Sequence, residues 1–217
     1  MGLNTQIGFR TTQSDFNGSD FTAEHRNQYF VTAGFYKRNY NGWQGGFVFD
    51  YLHDDWYTSI DVGQIRGELS YGVPSGSAFG FWFTTSVMSD ETTSVFSGQS
   101  VNQRWDSHDI YSVFYRVQSN RFRRGQWRVF AGFTGASDGI VGADWKIPIA
   151  GSWSMEPEFT YLIPDEETGF GGNDQEAWNV AFNLVWYPGQ SRGVTGATPL
   201  FDVAGNGNMI ARLQSQN

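Results

Sequence analysis

With 22 acidic against 14 basic side chains, a net charge of −8 and no cysteine among 217 residues, the chain is not built to bind nucleic acid, to be held by disulfides or to ligate metal through thiolates. Its length suits one domain or a small pair. Aromatic residues make up 18% of the sequence, yet mean hydropathy is only −0.43, and no run approaches the ~20 apolar residues of a spanning helix.

Met1-Gly2 leads almost directly into a strand. No basic segment followed by an apolar run comes first, so the chain reads as a mature form whose export signal has been removed. Alternation of apolar and polar side chains then predicts ten strands, near 3–10, 27–37, 43–52, 56–72, 77–88, 108–118, 126–135, 139–149, 152–163 and 177–187. Most are close to the ~9–11 residues of a tilted membrane-crossing strand. Asn41-Gly42, Pro74-Ser75-Gly76 and Ala150-Gly151 mark short turns. Longer loops are expected at 11–26, 89–107 and 164–176, on the opposite side. Apolar parity in 56–72 switches near Gly63, which predicts a bulge. Pro157 sits in a ladder to which it cannot donate.

Each strand has one apolar face without charge, such as Tyr29, Val31, Ala33 and Phe35, or Trp178, Val180, Phe182, Leu184 and Trp186. Its other face is polar. The ionisable residues of that second face are Asp50, Arg66, Glu68, Arg116, Arg128, Asp144, Lys146, Glu156 and Glu158. If they point inward they must pair, because an isolated buried charge is too costly. Lys146 and Glu156 lie on the paired strands of the 139–163 hairpin. Tyrosines and tryptophans fall near strand ends in two sets. Trp56, Tyr111, Tyr161 and Trp178 lie toward the long loops; Trp43, Trp127, Trp153 and Trp186 lie toward the short turns. Amphipathic rings favour the headgroup level of a bilayer, so these sets read as interface girdles.

The long-loop side is acidic and includes Asp54, Asp55, Asp90, Glu91, Asp106, Asp109, Asp138, Asp165, Glu166 and Glu167. The short-turn side carries Lys37, Arg38, Arg121, Arg123 and Arg124. Divalent cations are a candidate partner of the acidic rim. There is no Walker-type loop, no dinucleotide fingerprint and no clustered His/Cys metal site, and no cofactor is expected. After Tyr187 the alternation stops. Residues 188–217 form a Gly-rich polar tail containing Pro199-Leu200-Phe201-Asp202-Val203-Ala204, which folds into the interior, packs outside or binds a partner.

The alternation, girdles and loop asymmetry over 3–187 resemble those of bacterial outer-membrane β-barrel proteins. The Trp-Tyr-Pro strand end and Pro-Leu-Phe-Asp-Val-Ala tail look like an uncharacterised barrel family. The resemblance implies an all-β, closed up-and-down antiparallel transmembrane barrel of about ten strands over 1–187, with 188–217 as a plug or periplasmic extension. It implies an outer-membrane location, the lipid bilayer as partner, and a structural or narrow porin-like channel role for ions or small polar solutes, with a charged, largely plugged lumen and no enzymatic activity. A second reading rests on Asp106-Ser107-His108-Asp109 facing Asp54 and Asp55. That set resembles the rim of omptin proteases, also ten-stranded barrels, and implies that Asp54, Asp55, Asp106 and His108 activate a water for hydrolysis. The chain departs from that family in lacking its tall extracellular extension and in placing the pair on the third long-side loop. A third reading is a soluble secreted β-barrel that binds a ligand.

Overall fold

The computed structural model describes residues 2–15, 25–56, 58–96, 99–119, 125–164, 177–188 and 198–215. The acidic residues Asp165, Glu166 and Glu167 and the basic residues Arg121, Arg123 and Arg124 lie outside them.

All ten strands read from the alternation are present. They are β1 (Asn4–Asp15), β2 (His25–Lys37), β3 (Gly42–Asp55), β4 (Ser59–Gly72), β5 (Ser77–Met88), β8 (Ile110–Ser119), β9 (Gly125–Thr134), β10 (Gly139–Ala150), β11 (Trp153–Ile163) and β12 (Ala177–Trp186). Each pairs antiparallel with its neighbour in one sheet of order β1-β2-β3-β4-β5-β8-β9-β10-β11-β12. The short turns form where left-handed backbone is needed: φ is +124° at Gly42 and +53° at Gly151, angles that cost glycine little.

The sheet curls so that one face is enclosed. On β3, Gln44, Val48, Asp50, Leu52 and Asp54 are buried, while Trp43, Phe47 and Phe49 are exposed. On β4 the inward parity is unbroken from end to end. Ile60, Val62, Gln64, Arg66, Glu68 and Ser70 all lie on the enclosed face. The bulge expected near Gly63 is present in the β4–β5 ladder, where the register shifts between Gly63 and Gln64, but β4 itself does not switch faces; the extra residue is Val87 of β5, skipped between the pairs Gly63–Met88 and Gln64–Ser86. The sequence pattern misleads because Ile60 and Val62 are apolar yet point inward. Pro157 is accommodated on one side only. Its ladder to β12 is intact through Phe182, whereas the ladder to β10 skips the Trp145–Pro157 position, so the missing N–H faces β10.

Two expectations change. Residues 89–107 are not simply a loop: β6 (Asp90–Phe96) and β7 (Gln99–Ser107) form a hairpin, and β13 (Ala211–Ser215) adds to β7 as a third strand. The expected ring closure is not made either. Among the described residues β1 and β12 do not pair, and a cleft of about 760 Å³ separates them. Gln6 and Arg10 line one side, Asn183 and Tyr187 the other, and Phe201 and Val203 the floor. Arg10 reaches past the cleft to Glu158 on β11, with Nη1 3.1 Å from Oε1. An eight-stranded barrel is just filled by its own side chains. This sheet also encloses a segment of the tail, which leaves ten strands more to encircle.

Candidate functional site

The enclosed face positions its charges by strand alternation alone, since residues two apart on a strand share a face. Arg66 meets Asp50 on the neighbouring β3 through two bonds of 3.0 Å, and Asp50 also accepts from Thr32 (2.6 Å) and Gln64 (3.0 Å). Glu68 takes Arg116 in the same forked manner at 2.8 and 2.6 Å, with Ser70 as a third donor at 3.0 Å. Fork-to-fork pairing gives arginine its geometric advantage over lysine here. Arg128 bonds Asp144 at 2.7 Å and lies 3.9 Å from Glu68, linking Asp144 to the Glu68 cluster. Above this layer the interior is apolar. Trp82, Phe114, Phe130, Ile110, Ile140 and Leu162 form one cluster, with Trp82 edge-on to Phe130 at 5.5 Å.

The C-terminal tail supplies the rest. It starts near the short-turn end, where Arg38 donates to the Pro199 carbonyl at 3.0 Å and to Gln126 at 3.0 Å. Gln6 donates to the Phe201 carbonyl (3.2 Å) and accepts from its N–H (3.4 Å). Arg66 donates to the Asp202 carbonyl at 2.7 Å. The Ala204 N–H donates to Thr32 (2.9 Å), while Thr160 and Gln64 donate to the carbonyls of Gly207 and Asn208 at 3.0 Å each. Leu200 and Phe201 pack against Tyr36 and Val48, and Met209 and Ala204 against Phe30, Leu52 and Val62. At the far end the His108 N–H donates to the Ile210 carbonyl at 2.9 Å, after which β13 begins. The tail thus runs the length of the interior, from the short-turn end to the long-loop end.

All nine charged residues of the predicted interior set lie on this face. Lys146 and Glu156 do lie on the paired strands β10 and β11, but the ion-pair partner of Lys146 is Asp202 of the tail, at 2.5 Å. Glu156 instead accepts from the Tyr187 hydroxyl at 2.6 Å. Without the tail the wall presents Arg10, Arg38, Arg66, Arg116, Arg128 and Lys146 against Asp50, Glu68, Asp144, Glu156 and Glu158. Asp202 is the carboxylate that evens the balance. Sequence reading missed it because it lies beyond the last alternating strand.

Of the aromatic residues read as girdles, Trp43, Trp153, Trp178 and Trp186 are exposed on the outward face and Tyr111, Trp127 and Tyr161 are partly so, while Trp56 is exposed just beyond the end of β3. They touch across strands: Trp43 with Tyr71 at 5.4 Å, Tyr115 with Trp127 at 6.0 Å, and Trp153 with Trp186 at 6.5 Å between ring centres. Trp56 stacks under Arg26 at 5.4 Å.

The rim residues are engaged elsewhere. Asp54 is buried and bound by Arg26 and by Gln28 (3.0 Å). Asp55 is exposed. Asp106 holds Arg212 of β13 at 2.8 Å. Among the described residues no three His, Asp or Glu side chains are grouped to hold a metal ion.

His108 is outside the ten-stranded sheet. Burial and the nearby Arg212 hold its imidazole below the usual pKa, against the opposing pull of Asp138, Asp106 and Asp109. A histidine with a lowered folded pKa binds its proton less well than the unfolded chain does. Its contribution is full above about 6.5 and declines as pH falls below that. Protection factors of the β13 amides, measured by hydrogen exchange, are expected to fall as the pH is lowered from about 7 to about 5. Unchanged protection would contradict this.

The chain belongs to the family of unknown function DUF6666, whose model matches residues 1–211. No curated protein and no solved structure matches it.

Proposed function

We propose that this DUF6666 member is a small bacterial outer-membrane β-barrel whose lumen is plugged by its own C-terminal segment, with a structural role or that of a narrow, normally closed channel. The observation that carries the reading is the partition of charge across one sheet. The outward positions Phe35, Phe47, Phe49, Leu69, Phe79, Phe81, Val113, Phe133, Phe182 and Leu184 are all exposed, and the outward ionisable residues Lys37, His53, Asp55 and Asp61 lie at or near strand ends. The arginine and lysine ion pairs of the ten-stranded sheet lie in the interior. A water-soluble monomer rarely exposes apolar patches beyond a few hundred Å², whereas this arrangement suits strands with lipid outside. On this reading the bilayer is the partner, the tryptophan sets mark its two interfaces, and β1 and β12 join in the membrane, where an unpaired strand edge is not tolerated.

Val113→Arg tests the reading. Val113 is 64% exposed on β8. In a bilayer the change should cost about 2–4 kcal/mol; on a water-facing surface it should fall within about 0.5 kcal/mol. Folding equilibria in lipid vesicles measure the difference. A neutral effect, together with full solubility without detergent, removes the membrane reading.

A further inference from the structure

We infer that the interior of the sheet is a binding site for an irregular polypeptide segment carrying one carboxylate and turned at its Gly205–Met209 end, and that residues 198–210 are its ligand, bound in cis. The inference rests on the filled interior just described and holds whether the outside faces lipid or water.

Three observations carry it. First, the wall reads the segment mainly through its backbone. Side chains of the sheet meet main-chain groups at Pro199, Phe201, Asp202, Ala204, Gly207 and Asn208. Main-chain bonds supply affinity for a bound peptide, and side-chain pockets supply selectivity. Second, there is one charge-selective position. Asp202 meets Lys146 at 2.5 Å, and Lys146 is only 4% exposed. A ligand without an anion there leaves a buried ammonium unpaired. Third, the following positions admit only small residues. Ala204 is fully buried. A Cβ on Gly205 would lie 1.8 Å from Nη1 of Arg10, which Glu158 holds in place. A Cβ on Gly207 would lie 3.1 Å from the Thr160 hydroxyl. The wall therefore selects an apolar residue, an aspartate, an apolar residue, alanine and glycine, in the order of Phe201 to Gly205.

A site of this kind should bind the same segment when it is no longer covalently attached. The full chain is folded with a specific protease site inserted in the 189–197 connection, then cut. The tail fragment is expected to stay with the sheet through size exclusion. In the Asp202→Asn and Gly205→Val chains, retention is expected to fall roughly 10-fold or more, as losing a charged hydrogen-bond partner implies. A labelled peptide of residues 198–215 should then enter the vacated interior of these cut variants, while a peptide carrying Asp202→Asn should not. Loss of the wild-type tail on cutting, equal retention in the variants, or failure of the labelled peptide to enter each overturns the inference. Membrane insertion is not read by this assay, so its failure is distinct from failure of the outer-membrane reading.

Discussion

Asp202→Asn is expected to destabilise the folded chain by about 3–5 kcal/mol, the usual cost of removing one partner from a buried ion pair. The asparagine nearly matches the aspartate in shape, so the loss is electrostatic. Lys146 is 4% exposed and its contact is Asp202, with Glu156 already engaged by Tyr187. The midpoint of urea unfolding in detergent or vesicles would show the change at unaltered slope. Lys146→Met combined with Asp202→Leu should recover much of the loss, because a buried pair replaced by apolar groups is often neutral. If the single variant is as stable as the parent, the tail is not anchored at this point.

Glu68→Gln carries a comparable expected cost, about 3–5 kcal/mol. Glu68 is the anion shared by two guanidinium groups, Arg116 at 2.6 Å and Arg128 at 3.9 Å, and Ser70 also donates to it. Its side chain is 1% exposed and that of Arg116 5%, so water cannot replace what is lost. The Arg116 fork would retain one acceptor and face an amide N–H₂ at the other. The effect should shrink in the Arg116→Met background, and a double-mutant cycle gives the coupling directly. Additive losses would mean that the pair contributes nothing beyond its separate burials.

Much of this was legible in the residues. Strand alternation put Asp50, Arg66, Glu68, Arg116, Arg128, Asp144, Lys146, Glu156 and Glu158 on one face because a strand's period is two, and the enclosed face holds all nine. What alternation cannot show is a segment without secondary structure. Residues 201–210 adopt no ladder until β13, so their placement depends on contacts with β1 through β11 far away in sequence. The Lys146–Asp202 pair is not legible from alternation for that reason. The β6–β7 hairpin was missed because DETTSVF and its partner QSVNQRWDS are polar on both faces.

The most direct test of a membrane barrel closed by its own tail is single-channel recording in planar bilayers, comparing the parent with Asp202→Asn. The account predicts that the parent inserts but stays silent across several salts, and that the variant, with its plug loosened, gives discrete conductance steps. A parent that conducts as the variant does, or a chain that never enters the bilayer, would contradict it.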